Sequence, residues 1–344
     1  MRPPTESPRV LCSPAEAPLL RAAIAQAGGP PCVLLHPEDG ADFDAAFVSR
    51  DITGRSTKFE ILPDTRVYYD ALLRAPGLRW AHIHSSGADR DIYLQLMARG
   101  VTLTTSQGAT DAVVAQTALA GILALARRLP YLARAQADHA WRPLLEAELP
   151  RDLAGQHAVI VGWGGIGQRI GQWLISLGLT LDVVRHSDAR APEARRSAAY
   201  RDLPALLPDA DWLVLACPLT DATRGLAGAA ALDALPAHAC VVNVARGHVI
   251  DENALAQRLA AKRLAGAFLD VFQHEPLPAG SPFWDLENVI VTPHSAAFSD
   301  GNAARVRALF ARNLARYAAG EPLLNVARTQ GFRGGGRPAM PPSL

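Results

Sequence analysis

The chain has almost no net charge, little cysteine and no long hydrophobic run. Its 34 Lys and Arg nearly cancel 33 Asp and Glu, leaving +1. That balance excludes a basic footprint for nucleic acid or for an anionic membrane surface. No apolar run approaches the roughly 18 residues that a membrane-spanning helix needs, and the opening "MRPPTESPRV" lacks the apolar core of a secretory leader. The four cysteines, Cys12, Cys32, Cys217 and Cys240, show no CxxC or other ligand spacing, so no metal site is expected. Three of them sit inside apolar, strand-like runs, which reads as buried thiols in a reducing compartment and hence a cytoplasmic protein. No internal repeat relates the two halves. What remains is a globular composition, 49% hydrophobic and 19% charged. At 344 residues the chain can form two domains, each with its own core.

Strand-like and helix-like pieces alternate through the first hundred residues. "RVLCS" (9–13), "CVLLHP" (32–37), "AAFVSRD" (45–51), "LRWAHIHSS" (78–86) and "VTLTTS" (101–106) read as strands. Between them "AEAPLLRAAIAQAGG", "DTRVYYDALLRA" and "DRDIYLQLMARG" have helical spacing. A long helical stretch over 110–141, interrupted by Pro130, precedes a second series: "HAVIVG", "LDVVRHS", "DWLVLACP", "HACVVNVA", "LAGAFLDVF" and "NVIVTPH". Two such series predict an α/β protein with two doubly wound parallel sheets and a cleft between them. The expected division is 1–107 plus 298–325 for one domain and 108–297 for the other. The Gly/Pro-rich tail 331–344 reads as disordered.

"HAVIVGWGGIGQRIGQWLISLG" carries Gly162-x-Gly164-x-x-Gly167 between an apolar strand and an amphipathic helix. The motif alone is weak, but this context is the one a dinucleotide site requires. Gly162 permits the tight turn, Gly164 admits a pyrophosphate to the backbone, and Gly167 lets helix pack on strand. Gly165 and Ile166 would offer their N–H groups at the helix N-terminus, where an anion is favoured. An NAD-selecting site has an acidic residue at the end of the next strand. Here that position holds Arg185, followed by His186 and Ser187, a set suited to the 2′-phosphate of NADP. NAD stays as the alternative cofactor, with Arg185 a solvated surface residue.

Arg246, Glu275 and His294 follow strands of the second series, where doubly wound folds bind ligands. Their separations are 29 and 19 residues. With "PLTDATRGL" (218–226), "NVARGHVIDENAL" (243–255), "GAFLDVFQHEPLP" (266–278) and "NVIVTPH" (288–294), the chain resembles the D-isomer-specific 2-hydroxyacid dehydrogenases over nearly its whole length. The arginine beside the dinucleotide loop makes it most similar to the glyoxylate/hydroxypyruvate reductase branch.

That resemblance implies an NAD(P)-dependent oxidoreductase, a 2-ketoacid reductase forming a D-2-hydroxy acid. It implies His294 as general acid, Glu275 as the carboxylate on its far nitrogen, and Arg246 as the group that polarises the ketone and pairs with the substrate carboxylate. Each role suits the side chain: imidazole titrates near neutral pH, and guanidinium matches a carboxylate with a planar fork. It further implies cofactor contacts at Pro218, Thr223, Val244 and Asp270, and substrate contacts at Ser86 and Gly87 in "IHSSGADRD". Arg50 could reach the same cleft. His84, Gln116 and His274 depart from the usual pattern. A homodimer through the cofactor domains is expected, aided by the apolar 110–141 arm; nucleic acid and membrane partners are not. The alternative function is a dinucleotide-sensing, non-enzymatic corepressor on the same fold, and a dehydrogenase of a one-carbon or inorganic anion would share the core.

Overall fold

Short apolar strands in the first hundred residues line up as one sheet. In the computed structural model, which describes residues 7 to 327 apart from 41, 55, 57–59, 146–148 and 188, these are β1 (Arg9–Leu11), β2 (Val33–Leu35), β3 (Ala45–Val48), β4 (Trp80–Ile83) and β5 (Thr102–Thr104). All pairs are parallel, in the order β2-β1-β3-β4-β5. The predicted strand over "AAFVSRD" stops at Val48; Arg50–Thr53 is a short helix, α2. Ser49 begins that turn with its hydroxyl on Asp51.

Each face of this sheet is covered, as a parallel sheet requires. On one side α3 (Pro63–Arg74) and α4 (Asp91–Ala98) bury Tyr69, Leu72, Tyr93 and Leu96. On the other lie α1 (Ala17–Gln26) and α10 (Asn302–Ala318), the latter brought from the far end of the described chain. The Phe310 ring stacks on Trp80 with centroids 5.0 Å apart, and Tyr317 lies 5.3 Å from the same indole. Arg307 on α10 bonds Glu16 at the start of α1 at 2.9 Å. After α10 the chain returns to β5, where Ala327 N–H donates to Leu103 O.

The second sheet has seven parallel strands: β6 (His157–Val161), β7 (Thr180–Arg185), β8 (Arg196–Ala199), β9 (Trp212–Leu215), β10 (Cys240–Asn243), β11 (Gly266–Leu269) and β12 (Val289–Val291). Their order is β12-β11-β10-β9-β6-β7-β8. The sequence pattern omits β8. Its four residues, Arg-Ser-Ala-Ala, sit at the edge beyond β7, mostly only part-covered, and carry no apolar run. The inner strands β6, β9, β10 and β11 are buried at every position, which is why they read as continuous apolar runs.

The arm over 110–141 is two helices, α5 (Asp111–Ala126) and α6 (Leu129–Ala137), with axes bent by 70°. The break falls at Arg128, whose φ of +55° is left-handed, and not at Pro130, which fits the first turn of α6. α5 is apolar because Val114, Ala118 and Ile122 pack against Val242, Phe268 and Ile170 of the second unit. No single helix among the described residues is long and apolar enough to cross a membrane. The tail 331–344, expected to be disordered, lies outside the described residues.

Candidate active site

The glycine loop joins β6 to α7 (Gly165–Ser176). Gly162 has φ +100°, and a Cβ there would stand 2.6 Å from Ala216 O. A Cβ on Gly167 would meet Gly162 O at 2.0 Å. Both glycines are therefore fixed by sterics, through the turn and the helix–strand approach. Around Gly164, by contrast, nothing lies within 4 Å of a built Cβ. The loop thus offers an open cradle over a helix N-terminus, which fits a dinucleotide pyrophosphate. The Trp163 side chain packs against Val183, Ala191 and Ala194.

A cleft of about 990 Å³ opens over this loop. It brings together Gly162, Gly164, Gly165 and Ile166 with Arg185 and His186 at the end of β7. Pro218, Val244 and Arg246 line it from the ends of β9 and β10, and Ser86 and Gly87 from the first sheet. Tyr200 also lines it, its ring edge-on to His186 at 6.4 Å, a neighbour with no sequence signal. Arg185 has no salt bridge among the described residues. Ser187 is exposed and outside the lining. The carboxylate nearest in sequence, Asp182, is buried inside β7 and held by Arg196 and by His157 Nε2 at 3.0 Å.

Thr223 does not line the cleft. Its buried hydroxyl donates to Pro218 O at 2.7 Å and accepts from Thr220 N–H, shaping the 218–223 turn. Asp270 likewise lies outside the lining. Its carboxylate accepts from Thr292 Oγ1 (2.7 Å), Ser295 N–H (2.8 Å) and Ala296 N–H (3.1 Å), and its carbonyl accepts from His294 N–H (2.8 Å). Burial pushes the Asp270 carboxyl upward, and those donors pull it back. Asp270 therefore pins the loop on both sides of His294.

In that loop His294 adopts φ +50°, and its Nδ1 meets Glu275 Oε2 at 2.8 Å. The second Glu275 oxygen accepts from Phe272 N–H at 3.0 Å. The imidazole is exposed, and neither it nor Glu275 is part of the cleft lining. The loop carrying Glu275 is braced against the one carrying Arg246. A Cβ on Gly247 would fall 2.0 Å from Phe272 C, and Gln273 Nε2 donates to Ile250 O at 2.9 Å. Buried Asn243 holds the other side, donating to Arg246 O and accepting from Ala245 N–H. These braces went unread in the sequence, because Asn243 ends a strand, Gly247 and Gln273 lie past strand ends, and none has a periodic signature.

Arg246 reaches across to the first-sheet loop. Its guanidinium lies 3.9 Å from Asp89 Oδ2, and Nη2 occupies space that a Cβ on Gly87 would fill. Arg50 and His84 line a separate cavity. Gln116 is exposed on α5 and His274 is exposed beside Glu275.

Residues 119–296 match the family model for the D-isomer specific 2-hydroxyacid dehydrogenase, NAD binding domain. The chain is 35% identical over 264 residues to glyoxylate/hydroxypyruvate reductase B of Salmonella paratyphi A, covering 76% of this chain and 79% of that one. Among solved structures it is similar to a D-isomer specific 2-hydroxyacid dehydrogenase of Xanthobacter autotrophicus in complex with NADPH (TM-score 0.74, 27% identity, 94% and 98% covered). It is similar also to an NADPH-dependent glyoxylate/hydroxypyruvate reductase of Sinorhizobium meliloti in complex with NADP and sulfate (TM-score 0.72, 27% identity, 94% and 98% covered). With two parallel-sheet units, a dinucleotide cradle and a histidine–glutamate pair in place, the chain belongs to the D-isomer-specific 2-hydroxyacid dehydrogenase family, as an NAD(P)-dependent 2-ketoacid oxidoreductase.

Proposed function

We propose that the chain reduces a small 2-keto acid of the glyoxylate or hydroxypyruvate kind to its D-2-hydroxy acid, with NADPH preferred to NADH. The observation that carries this reading is the His294–Glu275 pair at 2.8 Å, set at the carboxyl end of the second sheet. When bound, the reduced nicotinamide supplies the hydride to the carbonyl carbon. His294 donates a proton from Nε2 to the carbonyl oxygen as negative charge develops there. Glu275 holds the Nδ1 side of the ring, fixing its tautomer and orientation. Arg246 pairs with the substrate carboxylate and polarises the ketone, and the backbone N–H groups of Ser86 and Gly87 complete the carboxylate site.

Gly162, Gly164, Gly165, Ile166 and Gly167 form the pyrophosphate cradle, with Pro218, Thr223 and Val244 shaping the wall beyond it. Arg185, with His186 and Ser187 following, receives the 2′-phosphate. Asp270 acts by fixing the His294 loop. Residues 1–107 with 298–325 form the substrate domain and 108–297 the cofactor domain, a division supported by the packing of α10 on the first sheet. The enzyme works in the cytoplasm as a homodimer. Exposed Leu129, Trp141, Leu145 and Leu149 along and after α6 support an apolar contact with a second copy.

The test is kcat/KM for glyoxylate, hydroxypyruvate, pyruvate and phenylpyruvate with NADPH and with NADH. The first two acids with NADPH should give the highest values. Preference for NADH would make Arg185 a bystander, and failure to reduce any of the four would overturn the substrate reading.

A further inference from the structure

A second cavity, of about 460 Å³, lies at the carboxyl end of the first sheet. Glu16, which follows β1, and Ser49 and Arg50, which follow β3, are in its wall. β1 and β3 are the neighbours at which the order β2-β1-β3-β4-β5 reverses, and open α/β sheets take their ligands in that crevice. The volume is within the roughly 300–1,000 Å³ of small-molecule sites. The cavity also borders both catalytic loops in sequence: His84 stands just before Ser85 and Ser86, and Phe298 closes the turn that begins at Ser295 after His294.

The chemistry of the wall is specific. Phe47, Phe298 and Val306 make it apolar. The Arg50 guanidinium lies over the Phe298 ring, 4.6 Å from its centroid, with no carboxylate partner among the described residues. The acids within reach are committed elsewhere: Asp51 accepts from Ser13 and Ser49, and Glu16 from Arg307. Arg50 is exposed overall, yet partial burial of its head and the nearby Arg90 push the guanidinium below its ordinary value. His84, its Nε2 on Thr53 Oγ1 at 2.9 Å, is held neutral by burial and the nearby arginines, down at about 3. Asn302 buries Oδ1 with no hydrogen-bond partner in the same wall.

We propose that this cavity receives the substituent on the substrate's keto carbon, and that Arg50 selects 2-keto acids whose substituent ends in a second carboxylate. The inference rests on the reductase reading above and extends its substrate class to 2-keto dicarboxylic acids. One carboxylate would meet Arg246, the methylene spacer would run along Phe47 and Val306, and the far carboxylate would take the planar fork of Arg50. The aromatic face behind Arg50 holds the guanidinium in place without neutralising it. Glyoxylate has no substituent and leaves the cavity unfilled.

The experiment compares 2-oxoglutarate with glyoxylate, both with NADPH, in the parent, Arg50→Met and Arg50→Lys. The ratio of their kcat/KM values should fall at least tenfold in Arg50→Met and recover in part in Arg50→Lys, which keeps charge and loses the fork. A ratio within twofold of the parent in both variants overturns the proposal, as does a parent that reduces glyoxylate and not 2-oxoglutarate. Calorimetric titration of the enzyme–NADPH complex with glutarate, which has no carbonyl to reduce, separates this from the reductase reading. Glutarate binding that is lost in Arg50→Met supports the site even in an enzyme inactive on both acids. No glutarate binding to an inactive parent overturns the proposal, and the reductase reading then stands or falls on its own panel of four acids.

Discussion

In the seven-stranded sheet the ligand-facing surface is set by where a Cβ cannot go. Gly162 and Gly167 each leave less than 3 Å to a backbone atom, so the loop has one shape and its N–H groups one direction. In the five-stranded sheet the cavity wall is set by side chains instead. Arg50 and His84 follow short strands and are oriented by single contacts, His84 on Thr53 and Arg50 on Phe298. A surface fixed by backbone tolerates little change, whereas side chains held by single contacts can be exchanged one at a time.

The largest effect should come from the proposed acid on the second sheet. His294→Asn should keep cofactor binding, read by fluorescence titration, and lose on the order of 10²–10⁴-fold in kcat, the usual worth of a positioned acid. Retained turnover would move the acid role elsewhere. Next comes the cofactor contact. A charge-assisted bond from Arg185 is worth about 1.5–3 kcal/mol, or roughly 10- to 150-fold at 1.4 kcal/mol per decade. Arg185→Asp should lower kcat/KM with NADPH by that range and reverse the preference. Rising salt should weaken NADPH use by the parent more than NADH use. Glu275→Gln should then lower kcat with cofactor binding kept, because Nδ1 loses the carboxylate that orients the ring. An unchanged kcat would remove Glu275 as the partner.

The smallest effect belongs to the first sheet. Burial holds His82, bonded to Thr104 and Ser106, down at about 3, below its ordinary 6.5. As pH falls below about 6.5 the unfolded chain takes up a proton that the folded one refuses. Stability is therefore lost toward acid, by about 1.4 kcal/mol per pH unit for this group. Urea midpoints at pH 7, 6 and 5 should fall in step, and His82→Asn should flatten the trend.

The same contrast explains what could be read from the sequence. Gly162 and Gly167 were legible because a steric requirement leaves one residue type, and the buried strands because β6, β9, β10 and β11 are apolar throughout. The pairing of Glu275 with His294 was legible through their order and spacing within a known pattern. β8 was not, since an edge strand of Arg-Ser-Ala-Ala has no apolar alternation to show. Neither was the break at Arg128, where an ordinary residue takes a left-handed backbone while the conspicuous Pro130 merely starts a helix. The bonds that Asp270 makes to Thr292, Ser295 and Ala296 depend on two loops meeting, which spacing alone does not encode.

The crossing of α10 to the first sheet has a consequence for how the chain is made. The first sheet is complete in strand order once β5 has been synthesised, yet Val10, Phe47 and Trp80 wait for Val306, Phe310 and Tyr317 to cover them. Roughly 200 residues separate those events, on the order of 10–40 s at ~5–20 residues per second. All seven strands of the other sheet leave the ribosome within that interval. The nascent protein must therefore carry an open apolar face through most of its own synthesis, and the last helix among the described residues closes the first sheet begun.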